Sequence, residues 1–186
     1  MTLTIIAGAN GSGKTTFALS YSHFRGIEFI NADEIAKDLN PDHMDHEKFN
    51  AGRIFLRRIE ELLDGDRDLI IETTMSGKYL IKIIQKAKSL GYTIDIFYLY
   101  LDNVTNNIAR VQNRVFNGGH DIPKEDIVRR YYRSSRLFMT LYKEMADRWF
   151  LFFNADDEFE EVANFADSEI TVLHELYFNK FVEGIK

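Results

Sequence analysis

The chain has 186 residues, 45% of them hydrophobic, which suits one compact α/β domain with an ample core. Its 29 acidic residues outnumber 23 basic ones, and the formal net charge of −6 argues against a general nucleic-acid binder while leaving room for a local basic pocket. There are no cysteines, so disulfides and thiolate metal sites are excluded and a reducing, cytoplasmic setting is expected; no stretch approaches the roughly 20 apolar residues that span a bilayer, so no membrane role is expected.

In chain order, residues 3–7 read as a short buried strand rich in β-branched residues, followed by a glycine loop and a helix beginning near Lys14. Residues 27–31 form a second predicted strand, and Asn31-Ala32-Asp33-Glu34 starts a short helix. Residues 46–64 predict a longer helix with Phe49, Ile54, Phe55, Ile59 and Leu62 or Leu63 on its apolar side, broken by Gly65-Asp66. Leu69-Ile70-Ile71 is a third strand, ending at Glu72-Thr73-Thr74. A helix over 78–90 stops at Gly91, a fourth strand covers 92–101, and a helix covers 103–116. Asp121 is expected to cap the next helix, with Pro123 in its first turn, and that helix is predicted to run to about residue 147. Residues 149–153 read as a fifth strand, and 169–182 fit strand or helix equally. Strands alternating with helices predict a single three-layer α/β domain over 1–186 with a mostly parallel sheet of about five strands. Ligands on such sheets bind beyond the carboxyl ends of the strands.

Gly8, Ala9, Asn10, Gly11, Ser12, Gly13, Lys14 and Thr15 fit G-x-x-x-x-G-K-[ST] at every fixed position, with Thr16 following. Glycines let the backbone turn tightly and aim N–H groups inward as an anion nest, and the following helix adds its N-terminal dipole. Lys14 can reach the β- and γ-phosphates and the Thr15 hydroxyl can ligate Mg²⁺. The loop lies between a predicted strand and a predicted helix, the context the motif requires, so a domain of the P-loop NTPase kind that binds ATP with Mg²⁺ is expected. No guanine-reading N-K-x-D motif occurs.

Three further segments carry a family resemblance: FINADEIA at 29–36, LIIETT at 69–74 and GGHDIPKEDIVRRYYR at 118–133. With the phosphate loop, in this order and spacing over roughly residues 3–153, they resemble the zeta-toxin-like group of P-loop kinases. The resemblance implies ATP-dependent phosphorylation of a small hydroxylated metabolite, UDP-N-acetylglucosamine in the best-known branch, and it admits an antitoxin protein as partner. Where that branch leads one to expect an arginine three residues before the proline, this chain has His120.

Asp33, after the second strand, either orients the acceptor hydroxyl and takes its proton or serves the start of the helix after Asn31. Glu72 holds Mg²⁺ through water, binds the acceptor, or is an ordinary polar strand end, and Thr73 could add a hydroxyl contact. Arg110 and Arg114, spaced i,i+4, either clamp phosphates from a lid-like segment at about 110–133 or form a solvated face. Arg53 favours the solvated reading, and His120 either replaces the expected arginine or is simply exposed. The reading these residues support is a small-molecule kinase; the alternative is a P-loop NTPase or nucleotide-dependent switch acting on a macromolecule.

Overall fold

A computed structural model describes residues 1–40, 44–155 and 158–185. Among these residues the sheet has seven strands rather than about five, in the order β2-β3-β1-β4-β5-β6-β7. Strands β1 (Thr2–Ala7), β2 (Glu28–Ile30), β3 (Leu69–Thr73), β4 (Thr93–Tyr100) and β5 (Arg148–Ala155) are the predicted five and pair in parallel. Strands β6 (Glu158–Ala166) and β7 (Glu169–Val172) extend the sheet antiparallel from β5. Strand β6 escaped the sequence reading because Glu158, Glu160 and Glu161 dilute its apolar signal, and a register shift at Leu151/Phe152 breaks the pairing.

Among the described residues there are seven α-helices: α1 (Lys14–Arg25), α2 (Ala32–Leu39), α3 (Met44–Asp64), α4 (Leu80–Ser89), α5 (Val104–Phe116), α6 (Lys124–Leu137) and α7 (Glu175–Glu183). Alternation along the central strands sends side chains to two cores. Leu3, Ile5, Ile71, Ile96 and Tyr98 join Phe55, Ile59, Leu63, Ile84, Phe138 and Phe181 on one face. Ile6, Ile70, Phe97 and Leu99 pack with Phe17, Ala18 and Tyr21 of α1 on the other. A third cluster of Val111, Ile122 and Ile127 ties α5 to α6 apart from the sheet. This small separate core gives the predicted lid-like segment its own packing.

Two helix boundaries differ from expectation. The late helix ends at Leu137 and continues as a π turn, Phe138–Tyr142, and a 3₁₀ turn, Lys143–Met145. The Tyr142 hydroxyl, from that π turn, donates to the Gly77 carbonyl and so fixes the loop after β3. Asp121 does not cap α6; its carboxylate accepts from the adjacent Ile122 amide at 2.8 Å, and Pro123 holds the cap position. Proline has no polar side chain to accept from the first-turn amides, so the helix starts without a side-chain cap. Phe97, Tyr98 and Tyr100 of β4, and Tyr92 just before it, are buried. No helix among the described residues is long and apolar enough to cross a membrane.

Candidate functional site

Strand β1 is flanked by β3 on one side and β4 on the other, so connections leave its carboxyl end in opposite directions and open a crevice there. The glycine loop fills this switch point. Gly8, Gly11 and Gly13 have φ of +143°, +79° and +89°, all in the region that side chains disfavour. A Cβ on Gly8 would stand 2.1 Å from the Leu99 carbonyl oxygen, and one on Gly13 would stand 2.2 Å from Asn154 Nδ2. The loop is thus pressed against β4 and β5 with no space for side chains. Asn154, near the end of β5, donates to the Ser12 carbonyl at 3.0 Å, and Asn107, on α5, donates to the Asn10 carbonyl at 2.7 Å. Helix α1 follows Gly13 with no side-chain cap and no acidic residue in its first turn. Its amino-terminal N–H groups and dipole therefore favour an anion. The Ser12 hydroxyl is buried and has no hydrogen-bond partner among the described residues.

Behind the loop lies a buried polar cluster. Lys14 donates to the Ala9 carbonyl at 2.8 Å and stands 3.9 Å from Glu72. Burial pushes the Lys14 ammonium below its usual range, against the opposing pull of Glu72 and Asp33. Glu72 accepts from Thr15 Oγ1 at 2.9 Å and from Asn31 Nδ2 at 2.7 Å. Burial also raises the Glu72 carboxyl, opposed by Lys14 and by the Thr15 hydrogen bond. The two residues predicted to serve a metal, Thr15 and Glu72, are therefore in direct contact. Asn31 also caps α2, accepting from the Asp33 amide at 2.7 Å. The capping role that Asp33 could have filled belongs to Asn31, and the Asp33 side chain is exposed.

Two clefts open at this cluster, each about 500 Å³. The first runs along the loop and is lined by Gly11, Gly13, Thr15, Thr16, Arg110 and Arg114. The second is lined by α2, α3 and the segment after β3, with Phe49, Arg53, Leu56, Thr73, Tyr79 and Arg130 among its walls. Asn10, Lys14, Asp33 and Glu72 line both. Arg130 ties them together, donating to the Asn10 side chain at 3.1 Å.

The structure thus brings the loop, Asp33, Glu72, Arg110 and Arg114 to one place. Thr73 lines the second cleft, but its hydroxyl is shared with Tyr79 at 2.7 Å and accepts from the Met75 amide. His120 lines neither cleft; its carbonyl accepts from Arg114 at 2.8 Å. Sequence reasoning overlooked Asn107, Asn154, Tyr79 and Gly52. Asn107 carried a usable signal: it lies on the same stripe as Val104, Ile108 and Val111, an amide where an apolar residue would pack. Asn154 and Tyr79 carried none, because their partners lie in distant or adjoining loops.

A glycine loop at the switch point of a mostly parallel sheet, backed by a buried Lys–Glu pair and opening on a second cleft, defines a P-loop α/β protein of the kinase-like kind. The chain belongs to the AAA domain family AAA_33, which matches residues 3–136. An uncharacterized protein of Haemophilus influenzae is 33% identical over 125 residues, covering 67% of this chain and 88% of that one. Among solved structures, a chain of the AvrRxo1-ORF1:AvrRxo1-ORF2 complex is 18% identical with a TM-score of 0.76, over 97% of this chain. The present chain spans only 63% of that one's length. A chain of the PezAT chromosomal toxin–antitoxin system of Streptococcus pneumoniae is 17% identical, with a TM-score of 0.67, over 100% of this chain and 80% of that one. Shikimate kinase from Acinetobacter baumannii, solved with shikimate, is 15% identical with a TM-score of 0.52, over 85% of each chain. These structures share the fold.

Proposed function

We propose that the protein is a kinase that transfers the γ-phosphoryl group of ATP to a hydroxyl of a small metabolite. The observation that carries this reading is the meeting of two clefts at Asn10, Lys14, Asp33 and Glu72. A plain NTPase needs the first cleft and a water; a phosphotransferase needs a second, separate chamber that opens on the same reacting point. The loop fits a triphosphate: its glycines leave a bare backbone cradle, the α1 terminus has no side-chain cap, and the Ser12 hydroxyl is buried without a partner among the described residues. Thr15 and Glu72 offer the hard oxygens that a magnesium ion takes, directly or through water. Bound Mg²⁺ and ATP supply the transferable phosphoryl group and the divalent charge that offsets its oxygens.

The chain's own residues do the rest. Lys14 places its ammonium against the β- and γ-phosphates, leaving the Ala9 carbonyl. Arg110 and Arg114 face the same cleft from α5 and bind the equatorial oxygens as charge moves. Asp33 orients the acceptor hydroxyl and takes its proton as the new O–P bond forms and the bond from phosphorus to the bridging oxygen breaks. Glu72 fixes Thr15 and Asn31 so that metal ligand and acceptor wall stay in register.

The zeta-toxin resemblance favours a nucleotide sugar such as UDP-N-acetylglucosamine as acceptor, and an antitoxin as protein partner. The fold shared with a toxin–antitoxin structure and with shikimate kinase supports both the setting and the reaction class. The test is a metabolite screen, UDP-sugars included, with ATP, Mg²⁺ and mass spectrometry for a phosphoryl group gained. Transfer to a small hydroxylated compound is expected. ATP turnover stimulated only by protein or nucleic acid, with no small acceptor labelled, would replace the kinase with a macromolecule-dependent NTPase.

A further inference from the structure

The second cleft carries information about what it holds. Helix α3 presents Phe49, Gly52, Arg53 and Leu56 to it, spaced i, i+3, i+4 and i+7, a single helical face. Gly52 lies well inside this 21-residue helix. Glycine there costs helix stability relative to alanine, so a packing reason is expected. Among the described residues there is none: a Cβ at Gly52 would meet none of their atoms within 4 Å. The bare backbone faces the cleft, and what it leaves room for lies in the cleft.

Beside it, Arg53 makes no hydrogen bond or ion pair with the described residues. Its neighbours on α3 do: Arg57 pairs with Glu61 and Arg58 with Glu28. The other cations of the cleft are engaged, Lys14 with Ala9 and Glu72, and Arg130 with Asn10. Phe49 is 77% exposed and Leu56 41% exposed, flanking the glycine with apolar surface that the fold leaves uncovered. A flat floor, two apolar flanks and an uncommitted guanidinium match a ring-bearing anion, the fork of arginine suiting a carboxylate or a phosphate ester.

We propose that this face of α3 recognises the acceptor, and that the acceptor is a hydroxyl-bearing organic anion whose ring lies over Gly52 between Phe49 and Leu56 while Arg53 binds its oxyanion. The inference rests on the kinase reading for the word acceptor, but its test needs no turnover. Uridine 5′-monophosphate and uridine form one matched pair of probes, and 4-hydroxybenzoate and 4-hydroxybenzamide the other. Each is titrated into protein saturated with ADP and Mg²⁺, and the amide resonances of residues 49–56 are followed by NMR. At least one anion is expected to bind about tenfold or more tighter than its neutral partner; the first pair reports a phosphate, the second a carboxylate. Arg53→Gln should erase that preference. Gly52→Leu should abolish binding, whereas Gly52→Ala should raise the melting temperature by about 2 °C while weakening binding, a combination no structural role for the glycine gives. Equal binding of charged and neutral partners, a preference that survives Arg53→Gln, or no response from any of the four probes overturns the proposal. Failure of the metabolite screen with these binding results intact would refute the kinase and leave an anion-recognition cleft.

Discussion

Replacing Asp33 by Asn separates proton transfer from every other role that residue could have. The structure fixes the size of the competing effects. The cap of α2 is Asn31, whose side chain accepts from the Asp33 amide at 2.7 Å, so the substitution leaves the cap intact. What is lost structurally is one negative charge in the first turn of an eight-residue helix, worth about 0.3–1 kcal/mol. At 186 residues that corresponds to a fall in melting temperature of about 1–4 °C. Asp33 also supports the Lys14 ammonium at a distance, as one of two carboxylates opposing its desolvation. Because Asp33 is exposed and Glu72 remains, ATP affinity should change by less than about tenfold. Loss of a general base, in contrast, is expected to slow phosphoryl transfer at least about 100-fold, or about 2.7 kcal/mol in the barrier. The assay is transfer to the acceptor found by the metabolite screen, alongside ATP binding by calorimetry and melting by circular dichroism. Transfer within a few-fold of the wild type would remove Asp33 from the chemistry. A loss of ATP affinity as large as the loss in rate would move it to the nucleotide side.

Lys14→Ala should greatly weaken productive triphosphate binding, and Thr15→Ala should impair Mg²⁺-dependent turnover; undiminished turnover in both folded variants would refute the loop assignment. ATP affinity should fall as pH rises through the lowered Lys14 pKa, sooner than an ordinary lysine requires, since only the ammonium attracts phosphate. The same lowered pKa means that the nucleotide-free fold gains stability over that window, because the unfolded chain then holds the extra proton. Buried tyrosines with raised pKa, Tyr98 and Tyr100 among them, act in the opposite sense once pH exceeds the ordinary phenol range, so affinity is the cleaner readout. Lys14→Arg, charged throughout, should flatten the affinity profile; an unflattened profile would assign the titration elsewhere. Amide exchange over residues 114–123 should slow with a nonhydrolysable ATP analogue plus acceptor, since Arg114 faces the nucleotide cleft and binds the His120 carbonyl; unchanged exchange would count against a closing lid.

The parallel half of the fold was legible because its central strands are buried on both faces and read as apolar runs, such as Leu69-Ile70-Ile71 and residues 96–101. Strands β6 and β7 were not, for a related reason. The glutamates at 158, 160 and 161 dilute the apolar signal of β6, while the stretch 169–182, which fitted strand or helix equally, divides into the short exposed β7 and most of α7. The late helix was placed two residues early at its start, where Pro123 rather than Asp121 holds the cap position, and too long at its end, since a π turn keeps nearly the same apolar spacing as an α-helix over one turn.

Legibility of the site divides along the same line between local and distant determinants. A phosphate loop is a local device: eight consecutive residues set the turn, the amides and the cation, and sequence order alone displays them. The parts that make the second cleft are assembled from α2, α3, the segment after β3 and α6, more than 100 positions apart in the chain between Asn10 and Arg130. Arg53 illustrates the difference. On sequence it is one of several charged residues on an amphipathic helix, and a solvated face is the sound expectation for such a residue. Only the fold shows that Arg57 and Arg58 have partners, that Arg53 has none among the described residues, and that a glycine with nothing to pack against stands beside it. On the proposed reading, nucleotide chemistry is written in the order of the residues, whereas acceptor choice is written in which residues the fold leaves uncommitted. If that reading holds, a related chain that keeps residues 8–15 and changes positions 49, 52, 53 and 56 is expected to take a different acceptor, because those positions line the cleft and carry little of the core.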